Sequence, residues 1–192
     1  FILKEKINCT IDYMPISKNG TLDMNKLDDL LKEGTKLLSI VHQSNVLGTI
    51  NPIREIISKA HSKGIKVIID AAQSIPHMPI DVQEFDCDFM VFSGHKMCGP
   101  TGVGVLYAKS DILNNMSPFL GGGEMINQVS MDQISWNEIP WKFEAGTPNI
   151  AQVIGLGASI DYLNKIGYEN ILSHCNELKN YLDENLKSIS KI

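Results

Sequence analysis

The sequence has a single arginine, Arg54, and no stretch in which positive charge is concentrated. Its formal net charge is −5 at pH 7. An acidic surface repels nucleic-acid phosphates and anionic headgroups, which argues against nucleic acid or a membrane as a partner. No apolar run approaches the roughly 20 residues that a bilayer-spanning helix needs. These absences predict a soluble, mildly acidic protein, in which Arg54 is most simply a surface charge.

Paired cysteine motifs are also missing. The four cysteines are Cys9, Cys87, Cys98 and Cys175. Since none of them has C-x-x-C spacing, the sequence indicates neither a zinc site nor a thioredoxin-like redox pair. We expect reduced thiols in an intracellular protein, and no metal site.

The chain lacks an initiator methionine, because it begins at Phe1, and its first residues already have the character of a domain interior. We therefore expect a fragment. A missing targeting segment then carries no information about the compartment.

Apolar runs and turn residues alternate in the order typical of an α/β domain, and the chain is long enough to bury a proper core. The predicted strands are Thr10–Tyr13, Lys36–Val41, Lys66–Asp70, Phe89–Phe92 and Val103–Tyr107. The predicted helices are Met24–Lys32, Ile53–Ser62, Ile150–Ile166 and Tyr168–Leu186, with a short helix capped by Asp81. Residues 125–148 are expected to be irregular with short strands. The order predicts a mostly parallel sheet flanked by helices.

Polar side chains follow the ends of consecutive predicted strands. Asn45 lies in the loop after the strand that ends at Val41, while Asp70 and Gln73 follow the next strand. Because parallel strands deliver their carboxyl ends to one edge of a sheet, these side chains should converge.

Lys96 follows the apolar run Phe89–Phe92 and is surrounded by small, turn-forming residues in Ser93–Gly104. Glycines let the backbone approach a ligand closely, and a partly desolvated lysine amine at the mouth of a strand is suited to attack a carbonyl. Such an attack is what Schiff-base formation requires, although Lys96 taken alone would more simply be a solvated lysine after a strand.

The segment SGHKMCGPTGVGVLY resembles the cofactor-lysine signature of the class V aminotransferases, most closely the Suf-type (group II) cysteine desulfurases and their selenocysteine lyase relatives. The blocks VHQSNVLGTINPI, VIIDAAQSIPHMPIDVQ, FDCDFMVFSGHK and WKFEAGTPN extend the resemblance from about Leu37 to Gly167. The resemblance implies the large α/β domain of a fold-type I pyridoxal phosphate enzyme over residues 1–165. It also implies a helix leading into a truncated small domain over residues 166–192.

The resemblance assigns a role to each residue of the candidate site. Lys96 would hold pyridoxal phosphate and act in proton transfer. Asp70 would keep the proton on the ring nitrogen, without which the cofactor is not an electron sink. Gln73 would hydrogen-bond the phenolic oxygen, and Asn45 would lie near that oxygen and the substrate carboxylate.

Three further residues are assigned to the cofactor phosphate by the same resemblance. Ser93 and His95 would bind it through a hydroxyl and an imidazole N–H, which make short, charge-assisted bonds. Thr147 would reach the phosphate of a neighbouring subunit, so that the site depends on a homodimer.

Other conspicuous side chains are interpreted as structural. These are Cys87, as a core residue, and the histidines His42, His61, His77 and His174. Cys98 departs from the family, which usually has an aromatic residue at this position. We predict that the smaller cysteine side chain packs there instead.

The implied reaction converts L-cysteine to L-alanine and passes sulfur to an enzyme persulfide for iron–sulfur cluster assembly, with a Suf-type sulfur-acceptor protein as partner. The family's persulfide cysteine and its substrate-carboxylate arginine lie downstream of the GTPN segment, beyond the end of this sequence, so we expect the fragment to be inactive alone. The many Asn, Lys and Ile residues suggest an AT-biased genome. The implied compartment is the bacterial cytoplasm, or a plastid-type organelle in a eukaryote.

Two alternatives share these residues. One is a selenocysteine lyase or another class V lyase or aminotransferase. The other is a non-catalytic homologue that serves as a dimerisation or binding module; the intact set of Asp70, Gln73, His95 and Lys96 argues against it, and the missing arginine argues for it.

Overall fold

The computed structural model describes residues 2–187 and 189. The α-helices are α1 (Ile2–Ile7), α2 (Leu27–Leu30), α3 (Ile53–Ser62), α4 (Val82–Phe85), α5 (Ser110–Asn115), α6 (Ile150–Ile166) and α7 (Tyr168–Lys187). The strands are β1 (Leu37–Val41), β2 (Lys66–Asp70), β3 (Phe89–Ser93), β4 (Gly104–Ala108), β5 (Ile126–Val129) and β6 (Ile134–Trp136). Short 3-10 helices cover Met24–Lys26, Gly94–Met97 and Trp141–Phe143. Within these residues, no helix is both long and apolar enough to cross a membrane.

The main sheet has the strand order β1-β2-β3-β4. Strands β1, β2 and β3 are parallel, whereas β4 runs antiparallel to β3. In this register Asp70 lies beside Val41 on one side and Val91 on the other. Strands β5 and β6 form a separate antiparallel pair. The sheet is therefore mixed but mostly parallel, as the sequence pattern predicts.

Helix α3 covers one face of the sheet because its apolar residues recur every three or four positions. Ile56 and Ala60 are fully buried, as are Val67 and Ile69 of β2 in the same core cluster. The helix begins after Pro52, whose ring fixes a φ of −77°, and the chain leaves it through Gly64 at a φ of +69°. These two residues set the helix ends as expected.

A second, smaller cluster lies where β3 leaves the sheet. Its buried members are Met97, Leu156 and Leu163. Ile75 and Phe92 pack against it from the loop after β2 and from β3. This cluster joins α6 to the ends of two strands.

The carboxylate of Asp88 is buried at the amino-terminal edge of the sheet, with no exposed surface. Its Oδ2 accepts hydrogen bonds from the Val67 N–H at 2.8 Å and from His61 Nε2 at 2.7 Å. Its Oδ1 accepts one from Lys66 Nζ at 2.9 Å. Burial acts to raise the pKa of this carboxyl, but the hydrogen bonds from His61, Lys66 and Val67 outweigh burial and hold the pKa below its usual value.

Two predicted elements in the first part of the chain are wrong. Residues 10–13 form no strand, because the only pairing in that region is a bridge between Ile16 and Leu22 around a turn. β-propensity without a neighbouring strand does not make a ladder. The helix expected over Met24–Lys32 is split into a 3-10 turn and the short α2, although Asp23 caps it as predicted by accepting the Asn25 N–H.

The proposed domain division stays a prediction. Gly167, at a φ of +83°, separates α6 from α7, near the predicted boundary at residue 166. Part of both predicted segments, namely residues 1, 188 and 190–192, lies outside the described residues.

Replacing Asp88 with asparagine should lower the free energy of unfolding by about 3 kcal/mol at neutral pH, because three donors lose a charged acceptor. Since the folded pKa of Asp88 lies below its ordinary value of 3.8, this stabilisation is complete above that value. It is lost as the pH falls through the folded pKa. Urea unfolding of both proteins should therefore show a difference that is full at neutral pH and shrinks as the pH falls below 3.8.

The matched control is Asp28→Asn, because Asp28 is an exposed carboxylate that accepts a hydrogen bond from Lys59 Nζ at 3.3 Å. It should change stability by less than about 1 kcal/mol. Equal effects of the two substitutions would contradict the role given to Asp88.

Candidate active site

The turn that carries Lys96 is closed by close backbone contacts. The Gly94 N–H donates to the Val103 carbonyl at 2.9 Å, and the Gly99 N–H donates to the Gly94 carbonyl at 3.0 Å. A Cβ on Gly94 would lie 2.8 Å from Val103 Cγ1, and a Cβ on Gly99 would lie 2.8 Å from the Gly94 oxygen. Both positions therefore need glycine.

Within this turn the side chains divide between the core and the surface. Met97 is buried in the second cluster, whereas His95 and Lys96 are exposed. The partial burial expected for Lys96 is therefore wrong for this chain. Lys96 is fixed at its base by the turn and by Met97, while its side chain remains accessible.

Asp70 ends β2 at the same edge of the sheet. Its Oδ1 accepts the Ala72 N–H at 2.9 Å, and its carbonyl oxygen accepts the His42 N–H at 2.8 Å. The carboxylate is exposed, and it stands in register with Val91, two residues before Ser93. The Asp70 carboxylate and the turn that carries Lys96 (the lysine turn, Gly94–Cys98) thus lie at the ends of neighbouring strands.

Gln73 is half-buried in the turn that follows Asp70. Its carbonyl oxygen pairs with His77 Nδ1 at 2.7 Å, and Ile75 anchors the same turn in the second cluster. The backbone at Gln73 is therefore held in place by this turn.

Asn45 lies in the loop between β1 and α3, and the base of that loop is closed by Asn51. Asn51 Nδ2 donates to the Val41 carbonyl at 2.8 Å, and its N–H donates to the His42 carbonyl at 2.8 Å. Ser44 Oγ accepts the N–H groups that follow Asn45 in the chain, each at 3.2 Å. Asn45 itself is exposed, on a loop that starts beside Asp70.

Thr147 is exposed in the loop before α6. This loop is tied to the segment after Lys96, because Asn149 Nδ2 donates to the Gly102 carbonyl at 2.5 Å. It is also tied to the glycine run at residues 121–123, since the Gly146 N–H donates to the Gly123 carbonyl at 3.0 Å. The hydrogen bond from Asn149, two residues after Thr147, thus connects the Thr147 loop to the segment that follows the lysine turn.

The structure brings Asp70, Ser93, His95 and Lys96 to one edge of the sheet, with Gln73 in the adjoining turn. Asn45 and Thr147 lie on loops that are hydrogen-bonded to that edge. As a donor set these groups fit pyridoxal phosphate: an amine for the aldehyde, a carboxylate for the ring nitrogen, and amide, hydroxyl and imidazole groups for its oxygens. A shallow depression lined by Asp28, Gly34 and Lys63 lies at the opposite edge.

The sole arginine is engaged elsewhere. Arg54 forms an ion pair with Glu84, and its guanidinium lies 5.9 Å from the centre of the Phe85 ring. Its interpretation as a surface charge is consistent with an arginine side chain that is 60% exposed. Arg54 therefore belongs to the contact between α3 and α4.

Three of the four histidines that the sequence analysis interprets as structural make contacts within the fold. His42 is buried, meets Phe85 edge-to-face at 5.3 Å, and has its pKa lowered by burial. His61 binds Asp88, and His77 pairs with the backbone of its own turn. His174 is exposed on α7.

The two central cysteines have different surroundings. Cys87 is fully buried, as predicted, and burial raises the pKa of its thiol to about 11. The prediction for Cys98 is wrong, because this residue is exposed and ends the lysine turn at a φ of +62°. The left-handed conformation that ends the turn at Cys98 is not revealed by the identity of the residue, since glycine is the usual residue there.

Sequence reasoning missed Asn149, Asn51 and Gly155 as parts of the site's support. An asparagine directly before a helix is typical of an N-cap. Asn149 instead donates across to Gly102, with no side-chain cap bond to its own helix. Nothing in the local sequence distinguishes these two uses.

A mostly parallel sheet with polar side chains at its carboxyl edge is the arrangement of α/β proteins that bind ligands at their strand ends. The family model described as aminotransferase class-V matches residues 2–192. The chain belongs to this family, whose members generally depend on pyridoxal phosphate.

Several curated relatives are cysteine desulfurases. The chain is 46% identical to the cysteine desulfurase of Haloferax volcanii over 190 residues, covering 99% of this chain and 45% of the relative. It is 51% identical to a probable cysteine desulfurase of Halalkalibacterium halodurans over 180 residues, covering 94% and 44%. The chain thus spans about half the length of the curated relatives it matches.

Solved structures agree with this relationship. The cysteine desulfurase CsdA of Escherichia coli, in an S-sulfonic acid form, matches with a TM-score of 0.94 at 38% identity, covering 98% of this chain and 47% of that chain. The apo cysteine desulfurase of Thermococcus onnurineus NA1 matches with a TM-score of 0.92 at 37% identity, covering 97% and 46%. The α/β fold is therefore that of cysteine desulfurases.

Iodoacetamide should alkylate Cys98 at least about 100-fold faster than Cys87, because the reactive species is the thiolate and Cys87 is both buried and shifted upward in pKa. Peptide mass spectrometry of a time course at neutral pH measures both rates. Comparable rates for the two cysteines in the folded chain would contradict the placement of Cys98 on the surface.

Proposed function

We propose that this chain is the cofactor-lysine half of a pyridoxal phosphate-dependent cysteine desulfurase, which converts L-cysteine to L-alanine and passes sulfur to an enzyme persulfide for iron–sulfur cluster assembly. The observation that carries the proposal is the closed turn that presents Lys96 beside the Asp70 strand end. The named relatives support the choice of reaction.

Pyridoxal phosphate, when bound, supplies an electron sink for bond changes at the substrate's α-carbon. Lys96 would hold the cofactor through Nζ and then move a proton at that atom. Asp70 would hold the proton on the ring nitrogen. Its backbone and Oδ1 contacts orient the carboxylate at the strand end.

The remaining residues would bind and orient. Ser93 and His95 flank the lysine and would donate to the phosphate. Gln73 would donate to the phenolic oxygen, and Asn45 would orient that oxygen and the substrate carboxylate. Thr147 would bind the phosphate held by a second subunit, which makes a homodimer part of the proposal.

A further surface is needed to complete this site. Asp70, His95 and Lys96 are exposed in this chain, and a reacting lysine needs shelter from water. The carboxylate of the substrate also needs a cation, and Arg54 is paired with Glu84. We therefore propose that the persulfide cysteine and the substrate-binding arginine come from polypeptide outside this chain, and that the chain alone does not turn over L-cysteine.

The finer assignments follow the sequence resemblance. We propose the Suf-type subgroup, with a Suf-type sulfur-acceptor protein as partner. We also propose an intracellular setting, in a bacterial cytoplasm or a plastid-type organelle. Free cysteines at every described cysteine position are consistent with a reducing compartment.

Borohydride reduction of the purified chain with pyridoxal phosphate should attach the cofactor mass to Lys96 in preference to other lysines. The amine of Lys96 is exposed on a fixed turn, next to the phosphate donors Ser93 and His95. Absorbance spectroscopy followed by peptide mass spectrometry measures binding and its position.

The control compares Lys96→Arg with Lys165→Arg, since both keep the positive charge but remove the reactive amine. Lys165 lies in the last turn of α6. The first substitution should abolish the specific adduct and the second should leave it unchanged. Label spread evenly over surface lysines would refute the role of Lys96.

Replacing Asp70 with asparagine should weaken pyridoxal phosphate binding about tenfold, because it removes the charge that pairs with the ring nitrogen. The substitution keeps an Oδ1 that accepts the Ala72 N–H, so the local turn should persist. Absorbance titration measures the dissociation constant. An unchanged constant would remove Asp70 from the proposed site.

A further inference from the structure

Helix α6 lies directly against the lysine turn, and the contact involves a residue without a side chain. A Cβ built on Gly155 would lie 3.1 Å from Pro100 Cγ and 3.3 Å from Pro100 Cδ. These distances are shorter than ordinary contacts between carbon atoms. A side chain at position 155 would therefore press on the Pro100 ring, which would have to shift by a few tenths of an ångström.

The same face of α6 makes a second close contact with this segment. Ser159 lies one helical turn after Gly155 and is buried. Its Oγ would be 3.1 Å from a Cβ on Gly99, and it donates to the Leu156 carbonyl at 2.8 Å. The Gly99–Pro100 pair thus rests on Ser159 and Gly155.

Contacts on either side extend this support along the lysine turn. Leu156 packs with Met97 in the second cluster, and its Cδ1 would be 3.4 Å from a Cβ on Gly94. Asn149, at the start of α6, holds the Gly102 carbonyl. Helix α6 therefore contacts the chain before, within and after the turn that carries Lys96.

We propose that Gly155 is a positioning residue for Lys96. Because Gly155 has no side chain, the Gly99–Pro100 pair packs directly against α6, and this contact fixes the position of the lysine turn relative to the second cluster. Its effect on Lys96 passes through Pro100, Gly99 and the hydrogen bond from Gly99 to Gly94. The functional consequence rests on the proposed role of Lys96, whereas the contact itself does not.

The helix supplies a matched control at Gly157. A Cβ on Gly157 meets nothing within 4 Å, and the residue is exposed. Gly155→Ala and Gly157→Ala therefore give the same gain in helix propensity, but only the first displaces Pro100. A difference between them reports the contact rather than the helix.

The first measurement is hydrogen exchange in the cofactor-free chain. Gly155→Ala should speed exchange about tenfold in a peptide spanning residues 94–104, since the Gly99 and Gly94 hydrogen bonds lose their support. Gly157→Ala should leave this peptide unchanged. Exchange in β2 should stay the same in both variants, which separates the local effect from general destabilisation.

The second measurement is the rate of borohydride-trapped pyridoxal phosphate attachment at Lys96 across a pH series, with attachment at Lys165 as an internal reference. Gly155→Ala should slow the Lys96 rate about tenfold, because a displaced turn moves the amine relative to the Asp70 carboxylate on the neighbouring strand. Adding Pro100→Ala, which removes the ring atoms that the new Cβ meets, should restore most of the rate.

Equal exchange and equal attachment rates in the two glycine variants would overturn the inference. If the unmodified chain shows no preference for Lys96, the proposed function fails instead. The exchange comparison then still decides the positioning role, since it needs no cofactor. Failure of Pro100→Ala to rescue a slowed Gly155→Ala would also overturn it, because the effect would not pass through Pro100.

Discussion

The buried carboxylate of Asp88 fixes the register on which the candidate site depends. It binds the Val67 N–H of β2 from a position directly before β3, so the two strands are held in one alignment at their amino-terminal edge. A slip of one residue would reverse the faces of every side chain in a strand. With the register fixed, Asp70 stands beside Val91 at the other end, and the lysine turn follows two residues later. The hydrogen-bonded Asp88 carboxylate at one edge of the sheet thus determines how Asp70 and the lysine turn are aligned at the opposite edge.

The two core clusters support different parts of the candidate site. The larger cluster packs α3 on the sheet. The smaller one packs Met97, Ile75 and Leu156 together, and these belong to the lysine turn, the Gln73 turn and α6. Both turns are therefore anchored from below by apolar side chains while their polar residues face outward. Groups mounted on such rigid supports lose little freedom when a ligand binds.

Sequence patterns predicted the parts of this architecture that have local signals. Strand β2 and helices α3 and α6 have the predicted bounds, because proline, glycine and clear apolar periodicity mark their ends. The strand at Thr10–Tyr13 had propensity but no partner. The exposure of Cys98 depends on one left-handed residue, and the pairing of Asn149 with Gly102 joins positions 47 residues apart. Contacts of that range leave no trace in a local window, so the support of the lysine turn could only be seen in three dimensions.

The exposure of the candidate site also explains why the residues of this chain do not determine which substrate is used. The residues proposed for the cofactor lie at one edge of the sheet and on the turns and loops that adjoin it, and a cysteine desulfurase and a selenocysteine lyase would use them alike. Neither Arg54, which is paired with Glu84, nor buried Cys87 is placed to recognise a substrate there. Discrimination between substrates requires groups that contact the parts in which they differ. In the proposed function, this half therefore supplies the chemistry common to the family, and the surface that closes over Lys96 supplies the selectivity.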